Sequence, residues 1–310
     1  MPSSDRAAYL MLTAMAICFG GTWVPAAIAV EVVPPFAIAL VRFGIAAVLL
    51  YGWARLAGRP LSPIRGHDWL LVAGLAVTAV AGYNWLFLTA LTLAPATDGA
   101  IIVPGMAPVF TAVLAGLVLG ERLGLRGIIG LALAAIGLYL VVNPTGGTTA
   151  ERLLGDALFV AGAALWGVYG VLARLASRRF NAVSASLYGI TLGAIILLPL
   201  AILEGGLGTL PSAPIGALLG IGYLAVFGTV AAFVLLNLGV ARIGAARASA
   251  FALLVPVVGV VTSVVFLGER LGPLTLVGGA VVLGALWLIE HRGSHAAAAT
   301  PVTAPAARNG

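Results

Sequence analysis

Lysine is absent from the 310 residues, and all sixteen basic residues are arginine. In a chain so rich in alanine and glycine this reads as genome composition rather than chemistry. Charge of either sign is scarce. Charged residues make up 8% of the chain, against about a quarter in an ordinary soluble domain, so a water-compatible surface cannot be assembled. The single cysteine, Cys18, lies in an apolar run, which excludes a disulfide framework and a Cys-ligated metal site. His67, His291 and His295 fall in predicted loops or the tail. His-Glu-x-x-His, Gly-x-Ser-x-Gly and Walker sequences are missing as well, leaving hydrolysis and direct ATP coupling without parts. The expectation is a chain that is not an enzyme, with no catalytic residue, no metal and no cofactor. The net charge of +6 does not point to nucleic acid, because the arginines sit in short clusters between apolar runs and act as topology signals.

What the chain has in abundance is apolar length. Hydrophobic residues make up 62% of it, and a helix needs roughly 20 apolar residues to cross a bilayer. Ten runs qualify: Ala8–Ala29, Pro34–Ala54, Asp68–Leu91, Pro95–Leu119, Leu125–Val142, Gly155–Ala173, Ala182–Leu203, Pro214–Leu238, Ala245–Leu267 and Pro273–Ile289. Turn chemistry such as Val33-Pro34-Pro35 and Asn143-Pro144-Thr145-Gly146-Gly147 separates them. The first run lacks a cleavage site and reads as a retained span. The Ala/Thr/Pro-rich tail, 295–310, is expected to be disordered.

The chain also repeats itself. Gly120-Glu121-Arg122-Leu123-Gly124 returns 148 residues later as Gly268-Glu269-Arg270-Leu271-Gly272, with Pro108 and Pro256 at equal distances ahead. Two units follow, 8–142 and 155–289. With the N-terminus placed in the cytoplasm, thirteen arginines fall on that side and only Arg152 and Arg270 on the other, while Arg42 stays within a span. Both termini are then cytoplasmic. Five spans per unit is an odd number, so the second unit enters the membrane upside down. The fold expected is all-α integral membrane, ten transmembrane helices as two inverted-topology five-helix repeats.

Phe19-Gly20 and Trp166-Gly167 in the first and sixth spans, Arg42-Phe43 in the second, and the two Pro-to-Gly-Glu-Arg segments occur in order with that helix count. In these pieces the sequence resembles EamA-type members of the drug/metabolite transporter superfamily, from about Ala8 to Ile289. The resemblance implies export or uptake of small metabolites, often amino acids. It also implies a pathway bounded by the third and fourth spans and their repeat mates.

Several residues invite two readings. Glu121 and Glu269 are repeated acids, yet each precedes a helix whose N-terminal N–H groups it can clamp, which makes a structural role the stronger reading. Arg42 lies roughly eight residues, or about 12 Å, inside its span. A lone arginine there costs at least about 2.5–3.5 kcal/mol, so it needs protein or water around it. An ion pair with Asp98, a backbone carbonyl, or a substrate carboxylate would each serve, and Asp98 could equally cap its own helix. Intramembrane carboxylates are so few that proton coupling would have to run largely through Asp98, with facilitated diffusion as the rival.

Tyr83, Asn84 and Trp85 lie deep in the third span, where Thr78, Gly82, Trp85 and Thr89 recur on one helical face. They either hydrogen-bond between helices or line a cavity. Trp166, beside Tyr169, is midway along its span, which suits a cavity wall better than an interfacial belt. Pro104 and Pro108 in the fourth span, and Pro256 in the ninth, pair as kinks in corresponding helices, and Ser249 lies along the ninth. Small-residue faces at Gly130, Ala134, Gly137, Ala280 and Gly284 permit close packing, within the monomer or across a homodimer. The reading is a bacterial inner-membrane carrier exporting amino acids or related metabolites by alternating access. Its partners are a small-molecule substrate and the lipid bilayer. Tyr83, Asn84, Trp85, Trp166 and Ser249 are the substrate-binding candidates. An uptake carrier, a drug pump, a channel and a membrane scaffold are the rivals.

Overall fold

The structure is a computed structural model that describes residues 3–120, 125–142 and 149–298. Helices α1 (Ser3–Gly20), α2 (Trp23–Val30), α3 (Pro35–Leu56) and α4 (Asp68–Leu75) open the chain. A π-helical segment, Ala76–Gly82, joins α4 to α5 (Tyr83–Leu91), and α6 (Ala96–Leu119) and α7 (Leu125–Val142) follow. Next come α8 (Ala150–Ser177), α9 (Ala182–Leu203), a 3-10 turn at Gly206–Ser212, and α10 (Ile215–Ala225). A second π segment, Val226–Ala231, leads into α11 (Ala232–Ile243). The chain closes with α12 (Ala245–Ala248), a 3-10 turn at Ser249–Leu253, α13 (Leu254–Leu267) and α14 (Pro273–Ala298). No strand occurs among the described residues. Among the described residues, eight helical stretches are long and apolar enough to cross a membrane, with two shorter apolar helices at Gly127–Val142 and Pro273–Leu288. This is a multi-pass membrane protein.

Local chemistry explains the helix ends. Pro34 and Pro35 start α3, where a missing N–H costs nothing. The repeated Gly-Glu-Arg sequence opens on glycine because both Gly120 and Gly268 take a left-handed φ of 69°, which a side chain would strain. Helix α14 runs to Ala298, and 299–310 lie outside the described residues.

The most extensive helix packing is between the first half of the chain and the second. Helix α7 packs on α14, α3 on α9, α6 on α8 and α13, and α1 on α11 and α13, with α5 on α8 and α2 on α10. Glycines set the closest approaches. A Cβ on Gly20 would sit 2.6 Å from the Val255 carbonyl oxygen, and one on Gly167 2.6 Å from Phe110 Cβ. A Cβ on Gly137 would sit 2.8 Å from the Gly278 carbonyl oxygen, and one on Gly278 2.8 Å from that of Gly137, so this small-residue face of α7 is occupied within the monomer. Gly284 faces open space.

Candidate functional site

The two π segments shape the centre of the molecule. A π segment leaves a carbonyl without its usual i+4 donor. In the first, Asn84 Nδ2 donates to the Ala79 carbonyl at 2.9 Å; in the second, the Thr229 hydroxyl donates to the Leu224 carbonyl at 2.8 Å. Both bonds reach back five residues. The side chains that close these segments then meet one cation. Arg42 of α3, 8% exposed, donates from Nη1 to Asn84 Oδ1 at 2.9 Å, from Nε to Thr229 Oγ1 at 3.0 Å, and from Nη2 to the Gly228 carbonyl at 3.3 Å. The Phe43 ring lies 4.9 Å from its guanidinium carbon. All three partners are neutral. Three of the five guanidinium N–H groups are engaged, and the charge has no counter-ion among the described partners.

Of the partners the sequence left open to Arg42, the structure supplies a backbone carbonyl, that of Gly228, and not Asp98. Asp98, in the first turn of α6, is 1% exposed and takes both Nε (2.8 Å) and Nη2 of Arg152. The reason is register. Helix α8 begins at Ala150, five residues before its apolar run, and delivers Arg152 beside the start of α6. Arg42 is held at the π segments instead.

Tyr83 and Trp166 do come together, with ring centroids 4.8 Å apart. They belong to a seam of aromatic rings. Tyr83 stacks on Phe87, Phe87 meets the edge of Trp23 at 5.0 Å, Trp23 meets Phe159, and Trp166 meets Tyr169 at 5.0 Å. Trp85 does not share this wall. It is 41% exposed and stacks on Phe36. The π segment accounts for the change, since one extra residue per turn rotates everything after Gly82 relative to Thr78 and turns Asn84, 1% exposed, inward. Ser249 opens a 3-10 turn, but its side chain lies outside the described residues. Pro104 and Pro108 lie inside an unbroken α6, whereas Pro256 lies in the first turn of α13, just after the 3-10 turn at Ser249–Leu253, so the two halves treat their prolines differently.

Glu269 accepts from the backbone N–H groups of Ala96 and Thr97, each at 2.8 Å. It therefore clamps the N-terminus of α6 and not that of α14, the helix that follows it, because α13 packs against α6 and brings the turn there. Glu121 lies outside the described residues. Asp156 and Glu204 are not among the sequence candidates. Glu204, just past α9, accepts from Phe36 N–H at 2.9 Å and clamps the start of α3. Burial pushes its carboxyl above the usual range, and the Phe36 and Ala37 N–H groups partly offset this. Asp156 is 1% exposed, and neither carboxylate oxygen has a hydrogen-bond partner. Its sequence signal was available: an ionisable residue inside an apolar run.

A separate cleft of about 490 Å³ opens where α4 begins and α8 ends, lined by His67, Leu70, Leu71, Leu172, Leu175, Arg178 and Arg179. It shares no residue with the Arg42 centre.

The EamA-like transporter family matches this chain twice, over residues 6–143 and over 153–290. An uncharacterized transporter of Bacillus subtilis, YyaM, is 30% identical over 259 residues, covering 82% of this chain and 84% of its own. A probable terminal-alkyne amino-acid exporter of Streptantibioticus cattleyicolor is 32% identical over 211 residues, 67% of this chain and 69% of its own. The uncharacterized inner membrane transporter YedA of Escherichia coli is 26% identical over 299 residues, 95% of this chain and 94% of its own. One crystal structure, 22% identical, shares the fold with a TM-score of 0.62 over 92% of this chain and 97% of that one.

Proposed function

Because the chain belongs to the EamA-like transporter family, we propose that it is an inner-membrane carrier exporting amino acids or closely related small carboxylates. The observation that carries this reading is Arg42. A guanidinium buried among neutral acceptors, with two N–H groups uncommitted, is suited to a substrate carboxylate. The seam from Tyr83 through Trp166 to Tyr169 supplies apolar rings for the body of an amphipathic solute. The related exporter from Streptantibioticus cattleyicolor handles amino acids by its name, and YedA is placed in an inner membrane by its own; both support the assignment.

Ten spans in two inverted repeats, with both termini cytoplasmic, is the topology we attach to this function. It is supported by the thirteen-to-two arginine split and by packing that pairs helices across the halves. Arg42 is bound by Asn84 from one half and by Gly228 and Thr229 from the other, so relative rocking of the halves would change the geometry around it. This arrangement supports a reading of alternating access at this point.

Counterflow in proteoliposomes holding the full-length protein tests the assignment. Zwitterionic amino acids should exchange with saturating kinetics, while the corresponding decarboxylated amines should not. Arg42→Gln removes charge-assisted bonds of about 1.5–3 kcal/mol, or roughly 10- to 150-fold in apparent affinity. Arg42→Lys keeps the charge but loses the planar fork, so it should fall between the two. Unchanged affinity in a folded Arg42→Gln protein, or equal exchange of amines, would overturn the assignment.

A further inference from the structure

The polar cluster at the other described end of α6 uses none of the residues assigned to substrate. Asp98 and Asp156 are each 1% exposed. Arg152 commits Nε and Nη2 to Asp98. The Asp156 carboxyl lies against that of Asp98, yet neither of its oxygens meets a donor. Among the described residues, no other charge is placed to help. Glu269 is occupied by Ala96 and Thr97 N–H, and Glu151 and Arg270 are exposed. Helices α5 and α9, which pack along α8, carry no charged residue, and Tyr83 and Tyr188 on them face Trp166 and Trp69. Asp68 of α4 pairs with Arg179 at the opposite end. One guanidinium between two buried carboxylates leaves one negative charge uncompensated, a costly state for an interior site.

A proton removes the deficit. Placed on one carboxyl, it cancels the surplus charge and supplies the donor missing between Asp98 and Asp156. We propose that Asp156 and Asp98 form a proton-binding site, and that its occupancy sets whether this end of the molecule is closed. The link to closure is the neighbouring α6 N-terminus. Glu269, from the second half of the chain, holds Ala96 and Thr97, one or two residues from Asp98. With the proton bound, Arg152 stays on Asp98 and the start of α6 is fixed under Glu269. With the proton lost, two carboxylates compete for Arg152 and repel each other, and α6 is released. In the topology attached above this end faces outwards, so the proton would come from the external medium. Only the meaning of closure rests on the carrier reading.

Infrared difference spectra of the purified full-length protein on a pH jump, with no solute added, test the site directly. The carbonyl band of a protonated buried carboxylic acid should appear in the wild type and in Asp68→Asn, and be lost in Asp156→Asn. Closure is read by maleimide labelling of Thr97→Cys in a Cys18→Ala background, normalised to the exposed Thr92→Cys. Labelling should be slow at low pH and rise as the proton leaves, whereas Asp156→Asn, which mimics the protonated state, should stay slow throughout. The asparagine variant is close in shape and should melt no lower than the wild type, so a loss of folding would itself count against the proposal. An infrared band that survives Asp156→Asn overturns the site. A labelling profile identical in wild type and variant overturns its role in closure. If replacing choline chloride by sodium chloride raises the melting temperature of the wild type but not of Asp156→Asn, the pair is a sodium site and the proton assignment falls.

Discussion

At the scale of single residues, Asn84 is the most informative. It accepts from Arg42 and donates to the Ala79 carbonyl, so it serves the cation and the π segment together. Asn84→Ala leaves both groups short of a partner in a site 1% exposed, which should cost about 1–3 kcal/mol of stability. Asn84→Asp is the sharper change. It gives Arg42 a fixed carboxylate, so the protein should remain folded in thermal melts while exchange of amino acids in counterflow collapses, the internal anion having taken the substrate's place. An Asn84→Asp protein that exchanges amino acids as the wild type does would remove Arg42 from the binding site. Both members of this pair were legible in the sequence, because polar groups deep in apolar runs are conspicuous. Their pairing was not. The partners that complete the site, Gly228 and Thr229, belong to the other half and carry no unusual composition.

At the scale of the element, regular 3.6-residue periodicity fails where the helix itself is irregular. Counting from Thr78 places Trp85 on the same face as the cavity candidates, and the π segment at Ala76–Gly82 moves it out. No residue in Ala-Val-Thr-Ala-Val-Ala-Gly marks the extra residue in the turn, so this rotation could not be seen from the chain alone. Close packing was readable from the small residues of α7, where Ala134 and Gly137 are buried, but not on α14, where Ala280 and Gly284 are exposed. On α14, a Cβ at position 278 would sit 2.8 Å from the Gly137 carbonyl, whereas nothing lies within 4 Å of one at position 284. Gly278→Val should therefore overpack the α7–α14 contact and cost about 1–3 kcal/mol. Gly284→Val should be close to neutral. Melting temperatures of the two variants in one detergent decide the matter, and equal losses would mean that the close α7–α14 approach is absent in the membrane protein.

At the scale of the whole molecule, two carboxylates tie the halves together on one face. Glu204 holds the start of α3 and Glu269 the start of α6, each reaching from the second half to a helix N-terminus in the first. A helix N-terminus carries a partial positive charge, and in a medium without water it has few other partners, so an acid at a span end is a natural fastener. The all-helical architecture was legible because apolar length and arginine placement are summed over many residues and tolerate local error. The clamps were harder to place, since an acid in a turn says nothing about which helix lies above it. The same arginine placement bears on orientation. Arg178 ends α8 on the arginine-rich side, and Ser212 closes the 3-10 turn after α9 on the arginine-poor side. Both positions are exposed. In a Cys18→Ala background, Ser212→Cys should react with a membrane-impermeant maleimide on intact cells, and Arg178→Cys only after the cells are opened. The reverse pattern would place the termini outside. It would also set the Asp98–Asp156 pair towards the cytoplasm, so that any proton it binds would come from within the cell.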